Sequence, residues 1–205
     1  MRGVYLVTDR ALCGNRSVQD VILLAVQGGV AYVQLREKDL STRMFVEEAV
    51  AVKKMLAPYA VPLIINDRMD VALACGADGI HIGQEDMPYE TARRLMGPKA
   101  MIGLSVETWE DVQKAQALDV DYIGVSPVFA TPTKTDTGEP WGLAGVQKIR
   151  TFSRHPLVAI GGIHESNAKE VVKAGAGCLA VVSAICSAED PAQVAASLKR
   201  IIAEA

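Results

Sequence analysis

Along the chain, short apolar runs rich in Val, Ile and Leu alternate with stretches whose apolar residues recur at helical spacing. Eight runs read as strands, over residues 4 to 9, 31 to 37, 62 to 67, 79 to 83, 101 to 106, 121 to 129, 156 to 162 and 178 to 185. Helices are expected near 18 to 28, 42 to 57, 68 to 75, 89 to 96, 109 to 118, 143 to 152, 166 to 174 and 191 to 203. Strands separated by helices suit a parallel sheet covered on both faces. The stretches GGVAYVQ, CGADGIHIG, LDVDYIGV and AGAGCLAVV repeat one order: helix end, small turn, strand. That recurrence suits a ring of equivalent units better than an open, doubly wound sheet. The fold class expected is therefore α/β, a single (β/α)8 TIM barrel occupying residues 1 to 205 as one catalytic domain.

Barrel enzymes keep their chemistry at the carboxyl ends of the strands, so polar residues there are the candidates. A long polar loop, TPTKTDT at 131 to 137, follows the sixth strand. Thr131 and Thr133 offer hydroxyls to phosphate oxygens, and Lys134 offers a compact cation to a leaving group. Gln34, Arg36 and Lys38 are spaced by two and share one side of an extended segment, a comb suited to an anion. Asn66 and Asp67 end the third strand, and Gln84, Glu85 and Asp86 follow the fourth. Asp67 and Asp86 on neighbouring strand ends suit a magnesium ion, which favours oxygen ligands and keeps several waters. The structural alternative makes Asp67 a helix cap and Asp86 a turn residue. Ser105 ends the fifth strand, while Gly161, Gly162 and Ser183 fall where many barrels form a phosphate site from backbone amides. His81, inside a strand, reads as packed or hydrogen-bonded rather than ligating, and His155 precedes a proline at a strand entrance on the opposite face.

The totals narrow the function classes. Net charge is −3 with a pI near 5.7, so there is no basic field for nucleic acid, and an acidic ligand must be met locally. Cys13, Cys75, Cys178 and Cys186 are scattered without C-x-x-C spacing, which points to reduced, packed thiols and a cytoplasmic setting. The amino terminus runs straight into a strand pattern, and no stretch is long and apolar enough for a signal peptide or a membrane span.

The strings YLVTDR, VQLREKD, NDRMDVALACGADGIHIGQEDMP, IGLSVET, DYIGVSPVFATPTKTDT, VAIGGI and AVVSAI, in this order over nearly the whole chain, resemble the thiamine phosphate synthases. The resemblance implies a transferase of thiamine biosynthesis. Such an enzyme joins hydroxymethylpyrimidine diphosphate to thiazole phosphate, or to its carboxylated form, and yields thiamine phosphate and pyrophosphate with Mg2+ as cofactor. It implies that Gln34, Arg36, Lys38 and Asn66 hold the pyrimidine diphosphate and that Asp67 and Asp86 carry the metal. Ser105 and Lys134 would meet the pyrimidine substrate or the pyrophosphate. Thr131, Thr133, Gly162, Val182 and Ser183 would hold the thiazole phosphate. Catalysis would fall to Lys134, Arg36, Lys38 and Ser105. The expected partners are these small substrates, with a homo-oligomer as the one macromolecular assembly allowed for.

One position departs from the pattern: Glu107 stands two residues beyond Ser105, where the synthases commonly carry a histidine. The related thiazole tautomerases use a histidine near that point and lack the paired aspartates and the threonine and lysine loop. This chain keeps what they lose and lacks what they use, which favours a synthase over a tautomerase. The remaining rivals are a non-catalytic phosphate-binding barrel and an unrelated barrel isomerase. For the isomerase Glu107 is the candidate base, although its place at a helix start gives it a capping use.

Overall fold

In the computed structural model, which describes residues 1 to 131 and 138 to 205, each of the eight apolar runs contributes one parallel strand. These are β1 (Gly3–Val7), β2 (Tyr32–Leu35), β3 (Leu63–Asn66), β4 (Gly79–Ile82), β5 (Met101–Val106), β6 (Tyr122–Val125), β7 (Leu157–Ile160) and β8 (Cys178–Val181). Each strand pairs with its sequence neighbours, and β8 pairs with β1, closing a (β/α)8 barrel. Around it lie α1 (Val18–Gln27), α2 (Thr42–Leu56), α3 (Met69–Cys75), α4 (Tyr89–Met96), α5 (Trp109–Ala115), α6 (Gly142–Phe152), α7 (Glu165–Lys173), α8 (Ser183–Cys186) and α9 (Pro191–Glu204). Reciprocal side-chain caps start two of them, Ser17 with Asp20 at α1 and Thr108 with Asp111 at α5, each satisfying amides that the first turn leaves open. No helix among the described residues is long and apolar enough to cross a membrane.

Alternation along the strands sorts the apolar residues into two layers. Val4, Leu6, Val33, Leu35, Leu63 and Ile65 pack outward under the helices. Tyr5, Val7, Ile64, Tyr122, Val158, Cys178 and Ala180 fill the barrel interior. The recurring small turn before each strand also has a structural use. Asp78, just ahead of β4, accepts the Leu63 amide at 2.7 Å, and Asp121, just ahead of β6, accepts the Ile102 amide at 2.8 Å. Each carboxylate thereby ties the start of the preceding strand at the face opposite the site.

Three boundaries differ from the expectation by three residues or more. The eighth strand, expected to run to 185, ends at Val181; Val182 leaves the extended region, and the Ile185 and Cys186 amides turn back to its carbonyl at 3.1 and 2.8 Å. An unbroken apolar run cannot by itself separate a strand from a buried helical turn. The sixth strand, expected to run to 129, ends at Val125 because Pro127 has no amide to continue the ladder. The helix expected over 109 to 118 ends at Ala115, its last residues closing in tighter three-residue turns.

Candidate active site

The carboxyl ends of the strands surround a cavity of about 650 Å³. Gln34 from β2, Asn66 at the tip of β3 and Ser105 from β5 line it, and the loops bring in Arg36, Lys38, Asp67 and Asp86. A smaller recess of about 70 Å³ adjoins it, lined by Thr131, Gly162, Val182 and Ser183. Ser126, Ile160, Ala180 and Val182 line both, so the two are neighbouring parts of one mouth. Thr133 and Lys134 lie outside the described residues.

The cations of the comb are oriented by acids. Arg36 meets the Asp9 carboxylate at 3.2 Å, and its backbone amide is held by the Thr8 hydroxyl at 3.0 Å. Lys38 Nζ lies 2.9 Å from Asp67 Oδ2. Asp67 does not cap the following helix: Arg68 occupies the cap position of α3, with no side-chain bond to the first turn. The Asp67 backbone sits at φ 60°, the left-handed region that non-glycine residues seldom occupy. Asp86 accepts the Gly83 amide at 2.6 Å, so it serves as a turn residue while its carboxylate also faces the cavity. Its pKa is raised, first by burial and then by the nearby Asp67 carboxylate, against the Gly83 amide and Lys38.

Two carboxylates driven together at a polar mouth suit a divalent cation with oxygen ligands. Among the described residues no group of three or more His, Cys, Asp and Glu converges. A metal here would take its other ligands from water and from phosphate oxygens, as magnesium does.

The smaller recess depends on two glycines. Gly161 has φ 104°, and a Cβ there would lie 2.7 Å from Pro127 Cβ; Gly162 has φ 62°, and a Cβ would lie 2.8 Å from the Ala130 carbonyl oxygen. Only glycine lets the loop after β7 lie this close to the segment after β6. That segment is pinned by the Val128 and Phe129 amides, which donate to the Ile160 and Gly161 carbonyls at 2.9 and 3.1 Å.

The floor of the mouth is more polar than its sequence suggested. Tyr5 and Tyr122, read only as parts of apolar strands, put their hydroxyls 2.8 Å apart inside the barrel. His81 bridges Tyr122 and Ser105 at 3.0 and 2.8 Å, in keeping with a hydrogen-bonded strand histidine. Burial pushes both phenol pKa values up, so the hydroxyls keep their protons at neutral pH. The available signal was positional, since Tyr5 and Tyr122 are separated from Val7 and Gly124 by two, on the inward side. His155 is buried at the far end against the Ala115 carbonyl at 2.9 Å. Glu107 lines the larger cavity, and the start of α5 is capped by Thr108 and Asp111 instead.

Three comparisons bear on this arrangement. A family model described as thiamine monophosphate synthase matches residues 4–185. A protein of Albidiferax ferrireducens named thiamine-phosphate synthase is 59% identical, the match covering 97% of this chain and 91% of that one. Its namesake in Leptospira biflexa is 52% identical, with 97% of each chain covered. The solved thiamine phosphate pyrophosphorylase of Pyrococcus furiosus superposes with a TM-score of 0.89 at 36% identity, covering 98% of this chain and 96% of that one.

Proposed function

The chain belongs to the thiamine monophosphate synthase family, and on that premise we propose how its own residues carry the reaction. The enzyme joins hydroxymethylpyrimidine diphosphate to a thiazole phosphate, giving thiamine phosphate and pyrophosphate. The observation that carries the residue-level reading is the convergence of Arg36, Lys38, Asp67 and Asp86 on one cavity that Gln34 and Ser105 also line.

The bond between the pyrimidine methylene carbon and the diphosphate oxygen breaks, and the diphosphate leaves with the electron pair. The electron-rich aminopyrimidine stabilises the resulting cation. The thiazole nitrogen then gives its lone pair to the same carbon. No nucleophile or strong base is required of the protein. What it must supply is neutralisation of the departing charge and a fixed approach of the two rings in a dry pocket. Arg36 and Lys38 face the departing diphosphate, and Lys134 adds a third cation for it. Gln34, Asn66 and Ser105 hold the pyrimidine. Thr131, Thr133, Gly162, Val182 and Ser183 hold the phosphate of the thiazole; its carboxylated form is included, and there the carboxyl group leaves as carbon dioxide once the new bond has formed. Asp67 and Asp86 would hold Mg2+, which supplies Lewis-acid stabilisation of the diphosphate oxygens. A cytoplasmic setting remains part of this reading, which is compatible with a homo-oligomer and does not require one.

The test is a coupling assay with both substrates, following thiamine phosphate and pyrophosphate with magnesium and with EDTA. Magnesium-dependent formation of both products is expected, with activity lost in an Asp67→Asn, Asp86→Asn double variant. Full activity in that variant would refute the metal assignment, while absence of both products from the wild-type protein would refute the functional reading.

A further inference from the structure

Beneath the mouth, five side chains form one hydrogen-bonded chain across the barrel, and the chemistry of each member sets the direction of the next. Gln34 Nε2 carries only hydrogens, so it donates to Tyr5 Oη at 3.0 Å. Tyr5 then has one hydrogen to give, and its other bonded partner is Tyr122 Oη at 2.8 Å. Tyr122 accepts there and donates its own hydrogen to His81 Nδ1 at 3.0 Å. A neutral imidazole has one N–H, so an accepting Nδ1 places the hydrogen on Nε2, which donates to Ser105 Oγ at 2.8 Å. Ser105 thus accepts from below and has its own hydrogen left to donate.

Tyr5 is 1% exposed and Tyr122 0%, so bulk water does not compete for the bond between them. Room is kept for the chain as well. A Cβ on Gly103 would fall 2.0 Å from Tyr122 Cζ, and one on Gly124 would fall 3.0 Å from His81 Cε1. Its two end members, Gln34 and Ser105, line the larger cavity, and Tyr5, His81 and Tyr122 line it between them.

We propose that Tyr5, Tyr122 and His81 are positioning residues that set hydrogen-bond polarity at the floor of the mouth, making Ser105 a donor and the Gln34 amide oxygen an acceptor toward the substrate. The proposal rests on the reading that these two residues meet the pyrimidine. An aminopyrimidine matches that pattern, offering amine hydrogens to Gln34 and a lone pair to Ser105. Reversing the chain, with Gln34 Oε1 accepting from Tyr5, would turn the Ser105 hydrogen down to His81 and the Gln34 amide hydrogens up. That floor would instead favour a ring bearing an oxo group in place of the amine. The polarity is therefore a specificity device as well as a structural one.

The experiment has two arms on the full chain. In the first, 15N-histidine-labelled wild-type protein is examined by NMR, with the His81 signals assigned by their absence from a His81→Gln sample. His81 is expected to show a protonated Nε2 and a bare Nδ1, and Tyr122→Phe, which keeps the ring in its slot, should relax this to a mixture of tautomers. A protonated Nδ1 in the wild type would overturn the proposal. In the second, Tyr122→Phe should lower kcat/KM for the pyrimidine diphosphate by about tenfold, the worth of one neutral hydrogen bond. Placed on Ser105→Ala it should cost almost nothing further, because the two act through one path. Equal losses in both backgrounds would make Tyr122 merely structural and overturn the proposal. The NMR arm needs no turnover, so a wild-type protein that makes no thiamine phosphate fails the functional reading separately from the polarity.

Discussion

Replacing Gly103 with Ala tests the interior more sharply than any change at the mouth. Its Cβ would lie 2.0 Å from Tyr122 Cζ, 2.3 Å from the hydroxyl and 2.5 Å from Cε2. Ordinary contact begins near 3.4 Å, so the ring would have to retreat by more than an ångström. It cannot do so and keep its place, because its hydroxyl is bonded to Tyr5 at 2.8 Å and to His81 at 3.0 Å. Overpacking costs about 1–3 kcal/mol, and two neutral hydrogen bonds add about 1–3 more, so a total loss of about 2–6 kcal/mol is expected. Against the roughly 5–15 kcal/mol available to a natural domain, that is a large share. Gly124→Ala is the control: its Cβ would meet a single ring carbon of His81 at 3.0 Å, a few tenths of an ångström too close, and should cost much less. Urea unfolding followed by circular dichroism would measure both, with kcat/KM recorded on the folded fraction. A loss below about 1 kcal/mol in Gly103→Ala would show that Tyr122 shifts freely, and would refute the view of a pinned ring.

Three further outcomes are expected. Magnesium at about a hundred times its dissociation constant should stabilise the wild-type chain by about 2.7 kcal/mol in thermal melts, and this gain should vanish in Asp67→Asn, Asp86→Asn; an undiminished shift would place the metal elsewhere. Lys134→Ala should cut turnover by about a hundredfold or more, as loss of a preorganised transition-state contact does, while its melting temperature stays near wild type; an unfolded variant would contradict a role confined to the reaction. The Cys178 thiol is pushed up to about 12, chiefly by burial in the barrel. Alkylation of the native protein at pH 8, read by mass spectrometry, should therefore modify half-buried Cys75 well before Cys178, and prompt labelling of Cys178 would contradict that burial.

The order of strands and helices was legible because the apolar runs are set off by small turns and α1, α2, α5 and α9 start at side-chain caps, both local features. The comb of Gln34, Arg36 and Lys38 was legible only in part: all three line the larger cavity, but Gln34 alone sits in β2, and beyond Leu35 a spacing of two no longer fixes a side. The ends of β6 and β8 were not. There the run stays apolar while the backbone leaves the ladder, once because Pro127 lacks an amide and once because Val182 turns into α8. The buried polar chain was hidden for a different reason. Tyr5 and Tyr122 are 117 positions apart, and a tyrosine in an apolar strand looks like filling until the closure of the barrel brings its hydroxyl to a partner. Asp67 was open to two uses, and only the fall of the α3 cap position on Arg68 separated its carboxylate from a capping role.

The φ of 60° at Asp67 sets selection for heat resistance against selection for turnover. Glycine accepts that backbone without penalty, whereas a side chain adds a cost of about 1 kcal/mol. A library of variants screened only for survival of heating should therefore enrich Asp67→Gly, with Asp67→Asn behind it. Each of those winners would have given up a carboxylate facing the cavity. Retention of aspartate in a lineage under thermal pressure would then record how much its hosts depend on the reaction itself.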